Sequence, residues 1–268
     1  PTPRRLAISL YRYLITDDVW ATQRAEYGYR DIRPHPIMVT LGGRPYIDVR
    51  ASFNSFIPAT IPDQLAERLV DHYLDSLEEQ PHLHDKIEFS IAFTCLDFDF
   101  NKRSHQLLQT GFSKTDLMNL QNALFDITKN APTRCQTQFE EIAVLQNRYH
   151  VVMESDLNHL DKAIALIDDC RQYGTLPFAH LARAAFVATS LLRSLETSGV
   201  TTKKQTDSFM KSLNTVGKSF ETHGIDVAEG RLPWEKFLQR YGHLRHGTDD
   251  ITCTSYGDCL LYTSDAAE

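Results

Sequence analysis

LPFAHLARAAFVATSLLRSL, Leu176 to Leu195, is the stretch on which the fold turns. It is rich in Ala and more apolar than any other helical segment, and Gly199 closes it at a C-terminal cap position. It therefore reads as a core helix. Arg183 sits in its apolar part, where burying an unpaired guanidinium would be expensive. Working outward, Ser155 reads as the cap of a helix carrying Leu157, Leu160, Ile164 and Ile167, with Gly174 ending it. Ser113-x-x-Asp116 resembles a capping box and opens Leu117 to Lys129, and Gln138 to Met153 follows as a separate helix after Pro132. Pro62 begins a helix whose face carries Leu65, Leu69, Tyr73 and Leu77. Leu6 to Glu26 reads as one or two helices, with Thr16-Asp17-Asp18 as a break. Thr206 to Val216 and Trp234 to Tyr241 complete the helical set.

Two stretches differ in kind. Ile37 to Leu41 and Pro45 to Val49 flank Gly42-Gly43, the glycine pair that a tight hairpin requires. Lys86 to Phe93 alternates, with Ile87, Phe89, Ile91 and Phe93 against Lys86, Glu88, Ser90 and Ala92, and reads as one further strand. The expected fold class is mainly α with a small β element (α+β), a helical domain over residues 1–258 with a short hairpin and one further strand.

Of 268 residues, 42% are apolar and 24% charged, as in ordinary globular chains. The net charge of −7 is poorly suited to holding a nucleic-acid backbone. The longest apolar runs fall short of a membrane span. The cysteines lack C-x-x-C spacing, so they read as reduced thiols in a cytoplasmic protein and not as zinc ligands or disulfides.

The last ten residues, CLLYTSDAAE from Cys259 to Glu268, closely resemble the conceptual translation of a transposase adapter used in sequencing libraries. That resemblance implies a non-native tail at 259–268 and a natural reading frame that ends near Asp258. Without Asp265 and Glu268 the net charge moves from −7 to −5. The opening Pro-Thr-Pro-Arg, with no initiator Met, fits the same expectation of a piece cut from a longer protein.

Several segments, in order, resemble the central region of bacterial phosphoenolpyruvate-synthase-like proteins. The clearest is FLQRYGHLRHGTDDI, Phe237 to Ile251, where that family has YGHLRPGTYDI and the related rifampicin phosphotransferases have YGHRG. His246 stands where the family has Pro, and Asp249 where it has Tyr. Further matches are ISLY from Ile8 with LITD from Leu14, Arg24 with YGYR from Tyr27, YIDVR from Tyr46 with SFNSFIP from Ser52, and YGTLPFA from Tyr173 with ARA from Ala182. The resemblance implies an ATP- and Mg²⁺-dependent parent enzyme that phosphorylates a histidine on a mobile domain and passes the phosphoryl group to a small-molecule acceptor. It also implies partners in the same parent chain: an N-terminal ATP-binding domain and a C-terminal phosphohistidine domain. The present chain shows no Gly-x-x-x-x-Gly-Lys-Ser/Thr loop and no swivel-histidine fingerprint, so no catalytic residue and no cofactor are assigned to it.

An acceptor site would offer cations and hydrogen-bond donors to an oxygen-rich substrate. The candidates are Arg50 and Asn54 after the second hairpin strand, Arg183 on the apolar helix, and Arg245 with Asp250 near the end. Each has a structural alternative. Arg183 would pair with Asp168 or Asp169, Arg50 and Asn54 would cap helices or satisfy loop carbonyls, and Arg245 with Asp250 would clasp the chain's exit. If all are structural, the region is a spacer that docks moving domains and binds no small molecule. His82 and His84 with Asp85, His243 with His246, and Asp97 with Asp99 raise metal, phosphohistidine and acid/base readings respectively. None has the distant third ligand, the motif context or the environment that such chemistry needs.

Overall fold

The computed structural model describes residues 4–245 and 252–259. They form two compact units, one running Ser9–Thr201 and the other joining residues 4–8 to 202–259. The division falls within helix α1, Arg5–Tyr11. Helix makes up 70% of the structure, and a two-stranded antiparallel sheet supplies the small β element.

In the larger unit a wide π-helical turn, Arg12–Thr16, precedes α2, Val19–Tyr27, so the expected break at Thr16-Asp17-Asp18 is present. Gly28 ends α2 at φ 110, a conformation that favours glycine, and a Cβ there would lie a close 3.3 Å from Ile127 Cγ1. Strands β1, Met38–Leu41, and β2, Arg44–Ile47, pair with Met38 opposite Ile47 around Gly42-Gly43. Asp48 then caps α3, Val49–Asn54, by accepting the Ala51 amide at 2.9 Å. Helix α4, Asp63–Glu79, buries Leu65, Leu69 and Tyr73 as its spacing predicts.

The further strand expected at Lys86–Phe93 is a short helix instead, α5, Ile87–Ser90. The backbone groups of this stretch are satisfied by local turns and not by a ladder, as with the Ile91 amide on the Ile87 carbonyl at 3.1 Å. The Ser90 amide bonds the Lys86 carbonyl at 2.9 Å, and Phe89 meets Phe186 edge-on at 5.2 Å. Asp97 and Asp99 lie in the loop before α6, Phe100–Gln109, a helix missed in the sequence.

The two helices expected on either side of Pro132 are one helix, α7, Lys114–Glu154. Its Ser113–Asp116 capping box forms as read. A mid-helix proline removes one backbone bond. Burial of Leu120, Leu124, Ile127 and Ala131 before it and of Gln138 and Val152 after it holds the helix together. Ser155 ends α7, and Asn158 caps α8, His159–Asp169, through the Leu160 and Asp161 amides. Gly174 does not end that helix. A π-helical turn, Cys170–Thr175, carries it into α9, Leu176–Thr197. The combined run His159–Thr197 reaches the length and composition of a membrane span by an 18-residue window of mean hydropathy 1.2, longer than the sequence reading allowed. It packs on α7 and carries buried His180 and Arg183, both paired with carboxylates.

The main core gathers Phe53, Ile57, Leu65, Leu69, Tyr73, Phe93, Phe100, Leu107, Leu120 and Leu124. A second cluster, Tyr27, Tyr29, Cys95, Ile127, Ala131 and Val187, ties the segments around α2, α7 and α9 together.

The smaller unit contains α10, Lys203–Ser212, α11, Val216–Ala228, which was missed in the sequence, α12, Trp234–Tyr241, and a last turn, α13, Tyr256–Cys259. Phe220 lies 5.5 Å from Phe237 and 5.0 Å from Tyr241, and Trp234 stacks on Phe237 at 5.2 Å. The Tyr256 amide bonds the Leu244 carbonyl and the Gly257 amide bonds that of Gly242, closing the end of the unit.

Candidate functional site

Arg50 and Asn54 stand one turn apart on α3, not at a strand end, because Asp48 starts the helix immediately after β2. Asn54 Nδ2 donates to the Arg50 carbonyl at 3.0 Å, and Arg50 Nη1 donates to Asp71 Oδ1 on α4 at 2.9 Å. Both residues line a cavity of about 610 Å³, together with Arg30, Arg33, His35 and Asp48. Its other polar wall residue is Asp31, so three guanidiniums face two carboxylates.

A carboxylate holds each arginine in place. Arg30 Nη2 reaches Asp63 Oδ1 at 2.7 Å and donates to the Ile61 carbonyl at 3.0 Å. Arg33 donates to Asp31 through Nε at 2.8 Å and Nη2 at 2.6 Å. That two-point pairing holds the Asp31 carboxyl down at about 2, the hydrogen bonds from Arg33 being the main cause. The same pairing raises Arg33 above the ordinary guanidinium value. The cavity thus presents oriented cations of the kind that recognise carboxylate and phosphoryl oxygens in pairs.

Arg183 is elsewhere. It is 5% exposed, and its Nη1 donates to Glu88 Oε2 on α5 at 2.6 Å. Neither suggested partner takes that place: Asp169 meets Arg148 at 2.5 Å, and Asp168 accepts the Tyr13 hydroxyl. Glu88 keeps Arg183 charged against the cost of burial, with a raised pKa. Arg245 lies in the smaller unit, in an antiparallel bridge with Ser255. Asp250, with His246 and Asp249, lies outside the described residues. The structure therefore brings together Arg50 and Asn54 of the expected set, and puts Arg183 in a buried ion pair.

Arg33 and His35 were missed as candidates because the loop between α2 and β1 has no periodic signal. Arg30 was visible only within a resembling segment. Asp97 is structural: Arg103 Nη1 donates to it at 3.3 Å, and burial raises its pKa. His84 Nδ1 lies 3.1 Å from the Pro81 carbonyl. Among the described residues no three His, Cys, Asp or Glu side chains gather as a metal site. The chain matches no protein-family model, no curated protein and no solved structure.

Proposed function

We propose that the larger unit is the acceptor-binding part of an ATP-dependent phosphotransferase of the phosphoenolpyruvate-synthase-like group, which works through a phosphohistidine. The arginine cavity is the observation that carries this reading. Arg50, Arg33 and Arg30 hold an oxygen-rich acceptor, Asn54 adds an amide, and the aspartate paired with each guanidinium fixes it before the ligand arrives, which lowers the entropy lost on binding. ATP and Mg²⁺ belong to the upstream domain of the parent chain, and the phosphohistidine to the downstream one. Alone, this chain binds and does not catalyse. We place it in the cytoplasm.

Calorimetric titration of the purified chain with pyruvate and other small carboxylates, repeated with Arg50→Ala and Asn54→Ala, tests the reading. Saturable binding weakened by both substitutions supports it. ATP hydrolysis or phosphotransfer by the chain alone would overturn its second half.

A docking spacer without a small-molecule site is the second reading. The engagement of Arg50 with Asp71 and of Arg183 with Glu88 favours it, and it expects no binding of any carboxylate.

A further inference from the structure

The smaller unit has a cavity of its own, of about 330 Å³, between α11 and α12. His223 reaches it from α11, and Lys236, Gln239, Arg240 and Tyr241 from α12. The walls are fixed by the aromatic packing of Phe220 on Phe237 and Tyr241. The turn between the helices is held too, since the Arg231 and Leu232 amides donate to the Asp226 carbonyl at 2.7 and 3.1 Å. Tyr241 is 3% exposed, and its hydroxyl lies 2.8 Å from His223 Nδ1, which sets the orientation of the imidazole.

Lys236 and Arg240 stand one helical turn apart, so they share a face, with Gln239 beside them. Like charges at that spacing repel, and a counter-ion would relieve them. No carboxylate lines the cavity. The nearby acids are engaged elsewhere or lie outside it. Asp226 and Glu229 both pair with Arg231, and Asp258 accepts the Ser255 hydroxyl. Glu221 and Glu235 are not among the walls. Among the described residues neither Lys236 nor Arg240 has an ion pair. The Arg50 cavity differs in this respect, because each of its guanidiniums has an aspartate.

Two cations, an imidazole and an amide around one small space match a compact anion. A carboxylate brings one charge and two oxygens. A phosphoryl group brings a charge of about −1.5 to −2 and three acceptor oxygens, enough for both cations and one further donor. A nucleic-acid backbone needs a longer basic track than one helical turn supplies in a chain of net charge −7. We infer that the α11–α12 cavity is a binding site for a phosphoryl group, held by Lys236 and Arg240 with His223 and Gln239 beside them. The site is built from the smaller unit alone and does not rest on the acceptor-binding reading.

The test is a titration of the whole chain followed by the NMR signals of its imidazole carbons, at fixed pH and ionic strength. The probes are inorganic phosphate, glycerol 3-phosphate and acetate, each in its own arm. His223 reports on this cavity and His35 on the Arg50 cavity, each signal being assigned by its loss in His223→Gln or His35→Gln. The expected result is a saturable shift of His223 with phosphate. Its midpoint rises about fivefold in Lys236→Gln and in Arg240→Gln, the effect of removing one exposed charge from an ion pair. It stays put in Lys204→Gln, which removes a charge of the same unit on α10, outside the cavity. The His35 signal is indifferent to Lys236→Gln. A lower midpoint with glycerol 3-phosphate than with phosphate assigns the group to an organic monoester, and equal midpoints assign it to phosphate itself. No saturable shift of His223, an unmoved midpoint in both cavity variants, an equal rise in Lys204→Gln, or a response to acetate as strong as to phosphate would overturn the inference.

Discussion

Arg183 on α9 donates to Glu88 on α5 at 2.6 Å, and both ends of this pair are largely buried. Breaking one end of a buried pair strands the other charge in a poor solvent. Glu88→Gln should therefore destabilise the larger unit by about 3 kcal/mol. Urea unfolding checks it. An unchanged midpoint would mean that Arg183 finds water in the folded state.

Arg50 and Asp71 make the contrasting case. Their side chains are 61% and 52% exposed, and pairs of that kind contribute ~0–1 kcal/mol. Arg50→Ala should leave unfolding nearly unchanged while weakening ligand binding at the cavity. A large loss of stability would show Arg50 to be architectural and would favour the spacer reading.

In the smaller unit, a Cβ on Gly242 would lie 2.5 Å from the Leu238 carbonyl oxygen, a backbone atom with little room to yield. Gly242→Ala should destabilise that unit by about 2 kcal/mol, as overpacking does. Loss of tertiary aromatic signal from the Trp234 cluster at lower temperature would show it, and an unchanged melting profile would contradict it.

Alkaline stability follows from buried tyrosines. Burial raises Tyr27 and Tyr73 to about 12, and Tyr29 is shifted the same way. With folded values above the unfolded value of about 10, their contribution is complete below pH ~10 and is lost as pH rises towards 12. Arg24 acts in the opposite sense. Its folded value is lowered, so the unfolded chain binds more protons above pH 9 and stability rises there. Three tyrosines outweigh one arginine, and unfolding should occur between about pH 10 and 12 with a late-titrating class of tyrosinate absorbance. Uniform titration near pH 10 with the helical signal intact would contradict this.

Local chemistry made much of this fold legible. Gly42-Gly43 marked the hairpin, Ser113-x-x-Asp116 the start of α7, and Gly199 the turn after α9. What failed was decided at longer range. Pro132 looked like a boundary because its lost backbone bond is visible in sequence, whereas the packing that spans it is not. Glu88 sat on the polar side of an alternating run, and nothing local shows that Arg183, 95 positions on, needs it. The cavity was half legible: Arg50 and Asn54 were candidates, but Arg33 and His35 come from an irregular loop.

The central claim is a phosphotransferase whose acceptor site this chain carries, and the uninterrupted source gene tests it most directly. The account predicts an ATP-binding dikinase-type domain encoded upstream of Pro1 and a phosphohistidine domain downstream of Asp258. A start codon immediately before Pro1 and a natural stop soon after Asp258 would contradict it and leave a binding or docking module in its place.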